Sequence, residues 1–264
     1  MPPIPNKSLS SLFVQMTGWL LPAQCWLCRA AHRHTQFVCT QCIATLPRNV
    51  EACSRCAAPI STSLNASPQS TRRERLPRYC TSCLKQSPHI GRTVAPFLMR
   101  DGFRELLHAW KFNNRPQLSP FLASLFRDAT ANKIGVHVTT DTKPLLIPIP
   151  TQWHRQLWRG FDHTWLLAQA LKHAIRPGAE IQPWLSNTRA RQSHHRLSRA
   201  SRWANSEGRF VGDPRIQGRD VILVDDVMTT GATVSSAALA CHLAGAKSVC
   251  VWCLARTPAP PSAG

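Results

Sequence analysis

The stretch Val221-Ile222-Leu223-Val224-Asp225-Asp226-Val227-Met228-Thr229-Thr230-Gly231-Ala232-Thr233 joins an apolar run to two adjacent carboxylates and then to a loop of small residues. Its first four residues are apolar and rich in β-branching, which suits a parallel strand buried on both faces. An alanine-rich run from Ala232 to Ala244 comes next and is read as a helix. Ligands of parallel sheets gather where strands end. There a loop from Thr229 to Thr233 aims several backbone N–H groups and the positive end of a helix at one phosphate, and Gly231 allows close backbone approach. Asp225 and Asp226, side by side at the strand terminus, are candidates to accept hydrogen bonds from vicinal sugar hydroxyls and to lie near a metal ion bridging to a diphosphate.

This order of hydrophobic strand, Asp-Asp and Thr-Thr-Gly-Ala-Thr resembles the phosphoribosyl pyrophosphate (PRPP) signature of type I phosphoribosyltransferases. A generic strand, turn and helix with surface aspartates rarely carries the whole run.

Composition fits a cytoplasmic chain of more than one module. At 264 residues and 43% hydrophobic content it buries a sizeable core. Lys and Arg number 32 against 13 acidic residues, a net charge of +19 that favours a polyanionic partner such as nucleic acid, or phosphorylated ligands. No apolar run reaches the ~18 residues of a membrane span. Residues 8 to 21 imitate the apolar part of a signal peptide, but only Lys7 precedes them, and Pro22-Ala23-Gln24-Cys25 is a poor cleavage site. Residues 1–24 are therefore expected to form an amphipathic helix packed on the domain behind it.

Eight of the eleven cysteines fall in four Cys-x-x-Cys pairs: Cys25/Cys28, Cys39/Cys42, Cys53/Cys56 and Cys80/Cys83. A two-residue gap lets both thiolates of a tight knuckle reach one metal, and two knuckles complete a tetrahedral zinc site. Four pairs make two sites; the simplest assignment joins first to second and third to fourth, with an interleaved arrangement left open. Sites filled by four cysteines have no position for water or substrate, so zinc here is expected to be structural. A redox Cys-x-x-Cys is the alternative, and a ladder of four pairs suits it poorly. Cys241, Cys250 and Cys253 are expected to be small core residues.

The double ribbon is placed at 25–88, interrupted at 61–78 by a Ser, Thr, Pro and Arg-rich insertion containing Arg72, Arg73, Arg75 and Arg78. From 89 to 257 the pattern alternates strand and helix. Strands are expected at 93–97, 144–149, 220–225 and 248–254, and helices at 102–112, 118–128 and 162–174. Residues 258–264 are expected to be a disordered tail. The fold class is α/β, a mostly parallel sheet with right-handed crossovers behind the small ribbon module.

The order of double zinc knuckle, Lys111-Phe112, Ile147-Pro148-Ile149-Pro150, Arg159-Gly160-Phe161, a basic Arg/Ser/Asn segment and the Asp-Asp-Thr-Thr-Gly loop is similar to the ComF family over nearly the whole chain. The resemblance implies a zinc ribbon on a type I phosphoribosyltransferase domain, associated with competence, DNA uptake or use of external DNA. It implies PRPP and Mg2+ as ligands, with Asp225 and Asp226 as catalytic residues on the ribose hydroxyls. Thr229, Thr230, Gly231, Ala232 and Thr233 would hold the 5-phosphate, and Lys111, Arg159 and the loop at 151–155 would face the diphosphate. Two bland readings stand beside these: Lys111 at a helix end is stabilised by the helix dipole without any ligand, and Arg159-Gly160-Phe161 sets a turn.

The chain departs from the family after Arg159-Gly160-Phe161, where Asp162-His163 replaces the usual Asn-Gln. Asp162 makes a good helix start, and neither residue enters the expected site. Arg189, Arg191, Arg196, Arg199, Arg202 and Arg209 lie in a segment, 187–210, whose position matches the hood that closes over PRPP in related transferases. His194 replaces a Gln usual in the family. Trp203 beside Arg202 permits base stacking next to a backbone contact, as single-stranded DNA binding requires, or anchors a helix under the loop. Two function classes emerge: a phosphoribosyltransferase-like enzyme, or a non-catalytic DNA-handling factor whose pocket senses PRPP or nucleotides.

Overall fold

The computed structural model describes residues 23–32, 37–60, 78–85, 89–134, 143–151, 160–188 and 209–258. Residues 1–22 of the expected N-terminal helix, most of the insertion and nearly all of the tail lie outside these residues, and Ala23 and Gln24 at the end of that helix are instead a strand.

The described residues open with β1 (Ala23–Gln24) and β2 (Ala31–His32), antiparallel across the first knuckle, followed by α1 (Thr40–Ala44) and α2 (Thr81–Lys85). Then come β3 (Arg92–Val94), β4 (Phe97–Leu98), α3 (Asp101–Phe112) and α4 (Leu118–Ile134). Next are β5 (Leu145–Pro148), α5 (His163–Ile175), β6 (Glu180–Ile181), β7 (Leu185–Asn187) and β8 (Phe210–Gly212). The chain continues through β9 (Asp220–Met228), α6 (Ala232–Leu243) and β10 (Ser248–Arg256).

The main sheet runs β3-β10-β9-β5-β6, every neighbouring pair parallel, with β4 extending the edge beside β10. The expected strand at 93–97 is two pieces because Ala95-Pro96 interrupts the ladder; proline has no N–H to give. β9 runs past its expected end at 225 to Met228, since β10 continues to pair with it as far as Arg256 opposite Met228. Both aspartates therefore lie inside the strand.

Alternation along β9 and β10 divides the core in two. Ile222, Val224, Trp252 and Leu254 face the layer of α3, α4 and α5, which also takes in Cys25, Val38, Cys39 and Leu46 of the first ribbon. Val221, Leu223, Val251 and Cys253 face the layer of α6, which takes in Ala57 of the second ribbon. Ribbon and sheet thus share their cores. Cys241 and Cys253 are fully buried as expected, and burial pushes the Cys241 thiol up to about 12.

Candidate functional site

Successive residues of an extended strand point to opposite faces. Asp226 follows Ile222 and Val224 toward the helices α3 and α5, where it meets Lys111 and His163; past Val224 the alternation lapses, since Val227 packs on the side of Ile222 and Met228 on the side of α6. Adjacent in sequence, the two carboxyl groups lie close enough to interact directly.

Asp226 is 6% exposed and its Oδ2 is shared by two donors. Lys111, in the last turn of α3, forms an ion pair with it, and His163 Nε2, at the start of α5, lies 2.9 Å away. Its Oδ1 accepts the Val227 N–H at 2.6 Å. Burial alone would raise this carboxyl; Lys111 and His163 outweigh it and hold Asp226 well below the usual carboxylate range. Asp225 retains some exposure, and its Oδ1 accepts the Asp226 N–H at 2.9 Å. Burial of the carboxyl and the charge of Asp226 raise it to about 7.

His163 is itself fixed. Its ring meets Trp110 edge-on at 5.5 Å, while Trp110 Nε1 donates to Ser119 Oγ at 3.0 Å. Asp162 caps α5 by accepting the Trp165 N–H at 3.1 Å, and Thr164 Oγ1 donates to the Ile149 carbonyl at 3.1 Å, tying the helix start to the end of β5. Of the pair set aside in the sequence, Asp162 does what its type suggests and His163 reaches the aspartate. The departure from the family's usual amide was the available signal.

Beyond Met228 the loop turns at Gly231, whose φ of 87° lies in the left-handed region and which starts α6. A Cβ there would sit 2.8 Å from Met228 Cε, so the loop lies tight against the strand it leaves. Thr229, Thr230, Ala232 and Thr233 surround this turn at the N-terminus of a twelve-residue helix, where backbone N–H groups and the helix dipole favour an anion. Arg209 Nη1 donates to Thr233 Oγ1 at 3.1 Å. Arg209 stands at the foot of the expected hood, whose ends pair antiparallel as β7 and β8. Arg256, 8% exposed, donates through Nη1 to the carbonyls of Met228 at 2.9 Å and of Thr229, and through Nε to the carbonyl of Cys56 at 2.9 Å. Sequence reading passed over this residue.

Arg159, the loop at 152–155 and the hood from 189 to 208 lie outside the described residues. Among the expected site residues, the structure gathers Lys111 and Asp226 on one side of β9. Asp225 lies beside Asp226, with the loop from Thr229 to Thr233 at the strand's end.

The cysteines form two clusters, Cys25/Cys28/Cys39/Cys42 and Cys53/Cys56/Cys80/Cys83, each with its sulfurs within 4.8 Å of one another. This is the sequential pairing; the interleaved one is excluded. Cys28 Sγ lies 3.8 Å from Cys39 Sγ and Cys56 Sγ 3.5 Å from Cys80 Sγ, matching the edge of about 3.8 Å of a tetrahedron with ~2.3 Å zinc–sulfur bonds. The first knuckles of the two clusters are copies of one turn. Arg29 and Ala57, four residues after Cys25 and Cys53, have φ of 63° and 53°, and each donates its N–H to that cysteine's carbonyl at 2.8 Å. Cys39 and Cys80 then donate backbone N–H groups to the sulfurs of Cys25 and Cys53, stabilising thiolates. Among the described residues no helix is long and apolar enough to cross a membrane.

Residues 16–84 match the double zinc ribbon domain family. The chain is 30% identical over 240 residues to the DNA utilization protein YhgH of Salmonella typhimurium, covering 90% of this chain and 98% of that protein. It is 30% identical over 186 residues to competence protein F of Haemophilus influenzae, covering 68% of this chain and 79% of the relative. Among solved structures it is similar to the glutamine PRPP amidotransferase of B. subtilis, at 19% identity and a TM-score of 0.35, covering 57% of this chain and 27% of that one. A likeness that distant bears no weight on this chain's chemistry.

Proposed function

The chain belongs to the ComF family, and from that membership together with the geometry at the end of β9 we propose that it binds PRPP and acts in competence, DNA uptake or DNA utilisation as a phosphoribosyltransferase-like protein. The observation that carries the reading is the tight turn at Gly231, placed between an aspartate-bearing parallel strand and the N-terminus of α6. In this reading the loop from Thr229 to Thr233 holds the 5-phosphate, and Asp225 and Asp226 receive the ribose hydroxyls. Lys111 and Arg159 face the pyrophosphate, whose growing charge they would stabilise as it leaves. The oxygen donors present suit a hard cation, and Mg2+ brought with PRPP would neutralise diphosphate charge beside Asp225. Asp226 is already engaged by Lys111 and His163, so ribose binding there exchanges one set of hydrogen bonds for another.

A second reading, a PRPP- or nucleotide-sensing factor that binds single-stranded DNA without turnover, is favoured by the net charge of +19 and by Arg209, which brings the foot of the arginine-rich segment to Thr233. Pyrophosphate release from PRPP and Mg2+, with and without candidate bases and single-stranded DNA, separates the two, with an Asp225→Asn/Asp226→Asn control. Release abolished in the control supports the enzyme. Binding that the control abolishes, without release, supports the sensor; no binding at all removes both.

A further inference from the structure

We propose that Arg256 is a strut joining the second four-cysteine cluster to the phosphate loop, so that zinc at Cys53, Cys56, Cys80 and Cys83 and a phosphate ligand at Thr229–Thr233 strengthen each other's binding. The inference rests on the PRPP reading above.

The strut is one buried guanidinium. Its Nε donates to the carbonyl of Cys56, itself a ligand of the cluster, and its Nη1 donates to the carbonyls of Met228 and Thr229. A planar fork holds these acceptors at fixed spacing, which a point-charge ammonium cannot do. The consequence comes from peptide planarity: in a trans peptide the N–H is antiparallel to the carbonyl. With the Met228 and Thr229 carbonyls drawn toward Arg256, the N–H groups of Thr229 and Thr230 turn the opposite way, as a loop that receives an anion requires.

The far end of the strut is equally well held. Thr93 of β3 donates its backbone N–H to the Ser54 carbonyl at 2.9 Å and its Oγ1 to the Arg55 carbonyl, and Asn49 Nδ2 donates to the carbonyls of Ala57 and Ala95 at 2.9 and 3.0 Å. The knuckle from Cys53 to Ala57 is thus stitched to the sheet edge by hydrogen bonds, and Arg256 carries that anchorage to the loop. The first cluster touches the sheet differently, through the apolar side chains around Cys25, Val38 and Cys39 against α3 and α4. The link is therefore specific to the second cluster. Linkage is reciprocal: whatever factor zinc adds to ligand affinity, the ligand adds to zinc retention.

The test uses the full-length zinc-loaded protein. With a chelator present, cysteine alkylation is followed by mass spectrometry, with and without saturating PRPP and Mg2+. PRPP is expected to slow modification of Cys56, Cys80 and Cys83 about tenfold and to leave Cys28 and Cys42 nearly unchanged. In parallel, PRPP affinity of Arg256→Lys is measured by calorimetry after circular dichroism confirms its fold. Loss of charge-assisted hydrogen bonds predicts about tenfold weaker binding, and modification of its Cys56, Cys80 and Cys83 should no longer respond to PRPP. Equal protection of both clusters would mean general stabilisation by ligand and would overturn the strut. So would PRPP binding by the wild-type protein with no protection of the second cluster. If the wild-type protein binds no PRPP, the parent reading falls and takes the strut with it.

Discussion

Asp225→Asn should make the ligand-free protein more stable, and increasingly so as the pH rises. In the native structure burial and the neighbouring Asp226 raise the Asp225 carboxyl from 3.8 to about 7. Between about pH 4 and pH 7 the native protein keeps a proton that the unfolded chain has released, so stability falls as the pH rises through that window. Fully expressed, the shift corresponds to about 4 kcal/mol, of which about 3 kcal/mol accrues between pH 5 and pH 8. Asparagine keeps an oxygen to accept the Asp226 N–H and carries no charge to repel Asp226. Urea unfolding of the wild-type and Asp225→Asn proteins, zinc-loaded and without PRPP, at pH 5 and pH 8 measures the difference directly. The variant's advantage should widen by about 3 kcal/mol between the two pH values. A pH-independent difference, or a variant less stable at pH 8, would refute the claim that this carboxyl is held against its preference for charge. A site that stores unfavourable charge until a ligand relieves it is also where stability and function trade against each other.

Lys111→Met strands a buried carboxylate and should cost about 3 kcal/mol in urea unfolding at pH 7, a loss that Lys111→Met/Asp226→Asn recovers in part. His163→Gln keeps a donor for Asp226 and should stay within about 1 kcal/mol of wild type, whereas His163→Ala should lower stability by about 2 kcal/mol in the same assay. Zinc removal by a strong chelator should lower the main calorimetric transition rather than melt a separate unit, because Cys25 and Cys39 belong to the same core as α3 and α4. If single-stranded DNA binds, replacing Arg189, Arg191, Arg196, Arg199 and Arg202 by Gln should flatten the salt dependence by about 0.7 in log–log slope for each phosphate no longer neutralised, and an unchanged slope counts against the hood as the DNA surface.

Residue pattern carried the frame of this fold because two of its signals are local. An apolar run ending in carboxylates and a glycine loop defines β9 and the start of α6, and Cys-x-x-Cys spacing defines knuckles. Patterns that depend on distant partners did not show. The end of β9 at Met228 is set by pairing with β10, which no window around Asp225 contains. Three-residue strands such as β7 and β8 are too short for a period to emerge. His163 looked replaceable because its neighbour Asp162 already accounts for the helix start, and only the placement of α5 over β9 brings its ring to Asp226. Arg256 is a lone cation at the end of an apolar strand, where sequence offers an exposed strand end as the default; these three acceptors come from residues 27 to 200 positions away.

The repeated knuckle turn has a practical consequence for labelling. Its second copy is closed at the base: Ile60 donates its N–H to the Glu51 carbonyl at 3.0 Å, and the Arg78 carbonyl accepts the Ser54 N–H at 2.7 Å while its guanidinium pairs with Glu51. With both ends fastened to one short stretch of chain, the length between Ile60 and Arg78 is not what aligns Cys56 with Cys80, and each doubling of a closed loop costs only about 0.6 kcal/mol. A fluorophore tag or affinity peptide placed between residues 61 and 77 therefore offers a handle that leaves both metal clusters and the anion loop as they are.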